Sequence, residues 1–93
     1  MKILFGLIVA LVACGGKDTS GLTGDVAAGE VLYAADCAAC HGVDAAGGSG
    51  PSLLGEDAEE FETAIPNGHG SMPAFPDYTA QDIADVIAYV HSL

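Results

Sequence analysis

With 93 residues, the chain has room for one small domain. Two basic residues, Lys2 and Lys17, stand against 13 carboxylates, a formal net charge of −11; such a surface repels a phosphate backbone and excludes nucleic acid as a partner. Three cysteines, two of them separated by only two residues, cannot build a disulfide framework, so a domain this small needs another staple.

Residues 1–13 (MKILFGLIVALVA) start with a charge, continue with a short apolar run and end in small residues before Cys14. A spanning helix needs about 20 apolar residues, so the layout is that of a secretory signal. Leu11-Val12-Ala13-Cys14 resembles the lipobox of bacterial lipoproteins, in which the cysteine becomes the first mature residue and carries the lipid. The resemblance implies lipidation of Cys14 and, because Gly15 rather than Asp follows, the outer membrane where the cell has one. The alternative is an ordinary signal peptide with an incidental cysteine. One acyl chain holds only marginally, so a stable anchor takes more than one. Cleavage before Cys14 leaves Lys17 alone against all 13 carboxylates, −12 with His neutral. That balance suits docking on basic protein surfaces, or solubility in a salty medium that screens self-repulsion.

Residues 15–24 (GGKDTSGLTG) have no apolar period and read as a flexible spacer. Asp25 is a candidate N-cap for a helix over 26–36. Gly29 inside it costs about 0.8–1.0 kcal/mol relative to Ala, which points to close approach of another helix. Residues 37–41 close this helix, and 42–50 (GVDAAGGSG) form a Gly-rich loop ended by Pro51. The stretch 56–65 is amphipathic, with Phe61 and Ile65 on one face and Pro66 as its stop. Residues 67–77 (NGHGSMPAFPD) read as a structured loop. Thr79 then caps the last helix with Asp82 at N3, and Tyr78 can staple onto Ile83. Ile83, Val86, Ile87 and Val90 follow at helical spacing. The pattern is all-α: three main helices and long loops, with too little periodic surface to close on itself.

Cys37-Ala38-Ala39-Cys40-His41 is the Cys-x-x-Cys-His signature of c-type haem attachment. Two thiols add to two vinyl groups on one porphyrin edge, and the adjacent His41 is thereby aimed at the iron. An export signal suits this chemistry, because attachment occurs outside the cytoplasm. A thioredoxin-like pair belongs near a strand at the start of a helix, and no clear strand is present. A zinc site would need a fourth ligand, from His69 or His91, and a different histidine spacing. For the second axial position, Met72 on a Gly/Pro loop is the leading candidate and His69 the rival; an open site is the third option. His69 otherwise reads as a surface or propionate hydrogen-bonder, and His91 as a favourable charge at a helix C-terminus. Haem propionates would find no Lys or Arg apart from Lys17, leaving amides, Asn, Tyr or His as donors.

Over residues 25–93 the chain resembles the small single-haem class I bacterial cytochromes c. The resemblance implies that fold wrapped around one covalent haem c, with Gly29 and Tyr33 crossing the last helix at Val86 and Tyr89. It implies that the Pro51 carbonyl accepts the Nδ1 proton of His41, that Leu53 lies against the haem, and that Met72, before Pro73, is the distal ligand. It further implies a monomeric one-electron carrier between redox proteins, without its own turnover site, outside the cytoplasm. Two other readings remain: a haem-based sensor or small-ligand binder with a labile Met72, and a detached electron-entry subunit of a larger oxidoreductase. Many relatives carry a lysine ring around the haem edge, which this sequence lacks; partners with basic docking surfaces are the corresponding expectation.

Overall fold

The computed structural model describes residues 16–93. The expected leader over 1–13 and the expected lipidation site at Cys14 lie outside them. The described residues form helices α1 (Val26–Asp36), α2 (Ala38–His41), α3 (Ala58–Asn67) and α4 (Ala80–His91). None is long and apolar enough to cross a membrane. The all-α expectation holds, with one refinement: the attachment motif does not extend α1 but forms its own short helix, α2.

The capping residues set the helix starts. Asp25 accepts from the backbone amides of Ala27 and Ala28. Thr79 and Asp82 exchange bonds reciprocally at 3.0 Å each way, which closes a capping box on α4. Tyr78 and Ile83, the expected staple pair, are both buried in the core.

The two terminal helices cross tightly, and Gly29 is the reason. A Cβ at this position would drive into the backbone carbonyl of Asp85 and lie 3.0 Å from the Cβ of Tyr89. The close approach of Gly29 itself falls on Asp85 and Tyr89. Val86, which the resemblance placed at the crossing with Tyr89, is 1% exposed in the same core cluster as Tyr33. Tyr33 stacks obliquely on Tyr89 with ring centroids 5.4 Å apart. Asp85 is itself buried, and its Oδ1 accepts from the Asp25 amide and from Gln81 Nε2, both at 2.8 Å. A carboxylate removed from water needs such partners, and these pin the start of α1 to α4. Sequence reasoning missed Asp85 because it sits next to a hydrophobic stripe and reads as part of the polar face.

Pro66 was expected to end the third helix, yet α3 continues through it to Asn67. A proline lacks the amide that would bond to the carbonyl four residues back. That carbonyl, on Glu62, accepts instead from the backbone amide of Lys17 at 3.1 Å. The Glu62 carboxylate also receives the Thr19 amide and hydroxyl at 3.0 and 2.5 Å. Residues 17–19 are thus strapped onto α3, whereas composition alone had suggested a loose spacer.

Gly29→Ala separates helix propensity from packing. Propensity alone would stabilise the variant by about 0.8–1.0 kcal/mol. Overpacking against the Asp85 carbonyl should instead destabilise it by about 1–3 kcal/mol, read as a lower denaturant midpoint at an unchanged slope. A raised midpoint would contradict the close crossing.

Candidate haem-binding site

The site begins where α1 breaks. Cys37 caps α1 by donating its amide to the Tyr33 carbonyl, and its own carbonyl accepts from the amides of Cys40 and His41 at 3.2 and 3.0 Å. One tight turn therefore carries both thiols and the imidazole. Gly42, at φ 89, ends it with a left-handed turn. The hydroxyl of buried Tyr33 donates to the Gly42 carbonyl at 2.6 Å, tying this exit back to α1.

The loop after Gly42 winds back over the motif. Gly47 donates to the His41 carbonyl at 2.8 Å and Gly50 to the Cys40 carbonyl at 2.7 Å. Ala45 is fully buried at φ 62, and its carbonyl accepts the Leu53 amide at 2.8 Å. An L-residue in that region is uncommon, and burial of its methyl group holds it there. Nothing in a Gly/Ala-rich stretch singles this position out, so sequence reasoning missed it.

This winding brings the Pro51 carbonyl within 2.8 Å of His41 Nδ1. A carbonyl can only accept, so Nδ1 carries the proton and Nε2 keeps the lone pair that a metal needs. Gly50 makes the approach possible: a Cβ here would sit 3.1 Å from Cε1 and 3.2 Å from Nδ1 of the ring. His41 is 9% exposed, and its orientation is set before any ligand is considered.

Across the cleft, residues 68–75 form a narrow turn. His69 and Met72 pair as an isolated antiparallel bridge, with reciprocal amide bonds of 3.3 and 2.9 Å. Met72 is half-buried and packs against the core, while His69 is exposed. Phe75 donates its amide to the Ile65 carbonyl at 2.7 Å, fastening the turn to α3.

A cavity of about 440 Å³ lies between the two sides, within the usual range of ligand sites. Cys37, Cys40, His41, Pro51, Leu53 and Met72, all named from the sequence, line it together, and His69 shares the Met72 side. Phe61, Ile65, Phe75 and Val86 make its walls apolar, while Asp36, Glu56 and Glu60 also line it. Among the described residues no lysine or arginine lines it. Lys17 gives its ammonium to the Pro76 and Tyr78 carbonyls.

Burial, then the Asp36 carboxylate and Cys40, push the Cys37 thiol up to about 11. A disulfide oxidoreductase needs a depressed thiol, so this environment opposes the thioredoxin-like alternative. Among the described residues no cluster of three His, Cys, Asp or Glu could hold a metal ion, which leaves the zinc reading without support.

The residues fit a covalently attached haem. Two thiols sit at one edge of an apolar cavity, and an imidazole is held by Nδ1 with its Nε2 left free of the Pro51 bond. A helical fold closed around such a site is that of a small c-type cytochrome. The chain belongs to the family whose model is described as cytochrome c oxidase, cbb3-type, subunit III, matched over residues 24–90. It is 39% identical over 85 residues to cytochrome c-551 of Bacillus subtilis (strain 168), covering 78% of this chain and 76% of that protein. It is 34% identical over 103 residues to cytochrome c6 of Cyanidioschyzon merolae (strain NIES-3377 / 10D), covering 97% and 92%. Among solved structures, cytochrome cL from Methylophaga aminisulfidivorans MPT superposes with a TM-score of 0.60 at 29% identity, over 72% of this chain and 51% of that one. The chain thus spans about half the length of that structure. The protein is an electron carrier of the class I cytochrome c type, with one covalently bound haem c and no substrate-turnover site of its own. Family membership supports an extracytoplasmic location and redox proteins as partners.

The Tyr33 hydroxyl offers a pH test of the site's frame. Burial, more than the nearby Cys37, Tyr89 and Asp44, raises its pKa from 10.0 to about 12. A folded pKa above the unfolded one gives stability that is complete below pH 10 and lost as pH rises through about 12. Tyr33→Phe should cost about 1 kcal/mol at neutral pH, where the Gly42 carbonyl loses its donor. It should also lose less stability than the wild type between pH 10 and 12, measured by denaturant titration at each pH. Burial and the bond to Asp36 raise Tyr78 in the same direction, so part of the alkaline loss persists in the variant. Parallel pH profiles for the two proteins would contradict the raised pKa of the buried Tyr33 hydroxyl.

Proposed function

We propose that this cytochrome shuttles single electrons between redox proteins at the extracytoplasmic face of a bacterial membrane, with His41 and Met72 as axial ligands. The observation that carries the proposal is the shared cavity: the only half-buried thioether among the described residues lines the same space as an imidazole whose Nδ1 is already engaged. Bound haem supplies a one-electron Fe(III)/Fe(II) couple, and Met/His ligation raises its potential. The Pro51 carbonyl holds the tautomer and orientation of His41, Leu53 supplies apolar wall, and Met72 leaves no position for a substrate. Burial keeps rearrangement between the two oxidation states small. Partners with basic docking surfaces suit the −11 charge, and such transfer complexes are small and transient. The carrier acts as a monomer.

The same proposal includes a lipid anchor at Cys14, from the signal-like 1–13 segment and the Leu11-Val12-Ala13-Cys14 pattern. Residues 14–24 then link the anchor to the domain over 25–93, and the outer membrane is favoured where one exists. A tether confines the carrier to a shell near its partners and raises their effective concentration. A second reading has a specific support. The matching family is described as an oxidase subunit, so the chain could serve as the detached electron-entry module of such a complex; copurification of a stable partner would favour it.

Met72→Ala should open the oxidised and reduced iron to outside ligands, bind carbon monoxide in the reduced state and lower the midpoint potential. The readouts are a visible spectrum under carbon monoxide and a redox titration. If neither changes, Met72 is not the ligand, and His69→Ala becomes the informative variant. Cys14→Ser should move the holoprotein from the detergent-rich to the aqueous phase in a detergent partition; retention in the detergent phase would reject the lipid anchor.

A further inference from the structure

The loop that presents Met72 is fastened poorly from within. Between Asn67 and Phe75 its only internal backbone ties are the His69–Met72 pair, and Gly68 and Gly70 both adopt positive φ, at 80 and 59. Its geometry therefore depends on how its two ends are held. The upstream end is α3, which terminates at Asn67. The downstream end is the turn Pro76–Tyr78 that leads into α4.

Lys17 connects both ends. Its backbone amide bonds to Glu62 of α3 at 3.1 Å, on the carbonyl that Pro66 leaves without a helical donor. Thr19 fixes the same segment through two bonds to the Glu62 carboxylate. From this fixed base the Lys17 ammonium reaches across to the Pro76 carbonyl at 2.7 Å and the Tyr78 carbonyl at 2.6 Å. An ammonium has three donors and no acceptor, and bonds from a charged donor are about twice as strong as neutral ones. Among the described residues Lys17 is the only lysine or arginine. In so acidic a chain the cation is directed at two carbonyls rather than at a carboxylate.

We propose that Lys17 is a positioning residue for the distal side of the haem site, clamping the two ends of the Met72 loop so that the thioether stays on the iron. This rests on the proposed Met72 ligation. Without the ammonium the Pro76 and Tyr78 carbonyls can take water, since Lys17 lies in the partly exposed layer. The fold then survives, while Met72 yields more often to a competing ligand.

The test is imidazole binding to the intact oxidised holoprotein, followed by its visible spectrum, for the wild type, Lys17→Met, Lys17→Arg and Met72→Ala. Losing the clamp should raise the imidazole affinity of Lys17→Met by about threefold to tenfold, the range set by one hydrogen bond of ordinary net strength at a partly exposed site. Lys17→Arg keeps a cation of similar reach and should stay within about twofold of the wild type. Met72→Ala should show the largest rise. Denaturant midpoints measured without imidazole report any general loss of stability separately. Unchanged affinity in Lys17→Met, whatever its midpoint, overturns the proposal while leaving Met72 ligation intact. A rise in Lys17→Arg as large as in Lys17→Met overturns the role of the charge. No rise in Met72→Ala removes the ligation reading, and the role of Lys17 falls with it.

Discussion

The hydrogen bond from His41 Nδ1 to the Pro51 carbonyl is the constraint around which the domain is arranged. Making it requires the chain to leave the attachment turn, reverse, and return within ten residues to the ring it has just placed. Gly42 performs the reversal, the Cys40 and His41 carbonyls each accept an amide from the returning loop, and Gly50 leaves space beside the imidazole. The bond selects one tautomer and fixes the ring plane. A metal-binding nitrogen is thereby defined by backbone geometry rather than by a second charged side chain, which keeps the surroundings apolar.

The two sides of the cavity are built differently. The proximal side is a continuous network of backbone bonds carried on α1, and α1 is locked to α4 by the Gly29 crossing and the Asp85 carboxylate. The distal side is a short turn on α3, held mainly by the Phe75 amide and by contacts at its ends. A rigid imidazole facing a more loosely suspended thioether suits a centre in which the permanent attachment is proximal. On the proposed Met72 ligation, it also locates the part of the molecule whose stability would decide whether the iron stays closed to outside ligands.

Much of this was readable in the sequence, for identifiable reasons. The attachment motif is a fixed covalent spacing, and the helices over 26–36 and 80–91 declare themselves through Asp25, Thr79 with Asp82, and the Ile83–Val90 stripe. Gly29 was legible because a glycine inside a helix is costly enough to demand a reason. What escaped depended on long-range partners. Pro66 signals a helix end locally, yet the Glu62 carbonyl it frees is satisfied by Lys17, and the helix runs on. Residues 17–19 have the composition of a spacer, but Lys17 and Thr19 also bond to residues more than 40 positions away. The buried roles of Asp85 and Ala45 come only from what tertiary structure places beside them.

The account depends most on His41 and Met72 meeting one haem from opposite faces. A crystal structure of the oxidised holoprotein tests this most directly. The account predicts thioether bonds from Cys37 and Cys40, His41 Nε2 on one face of the iron with Nδ1 still bonded to the Pro51 carbonyl, and Met72 Sδ on the other face. An iron bound by His69, or left open on the distal side with Met72 packed away from it, would contradict it.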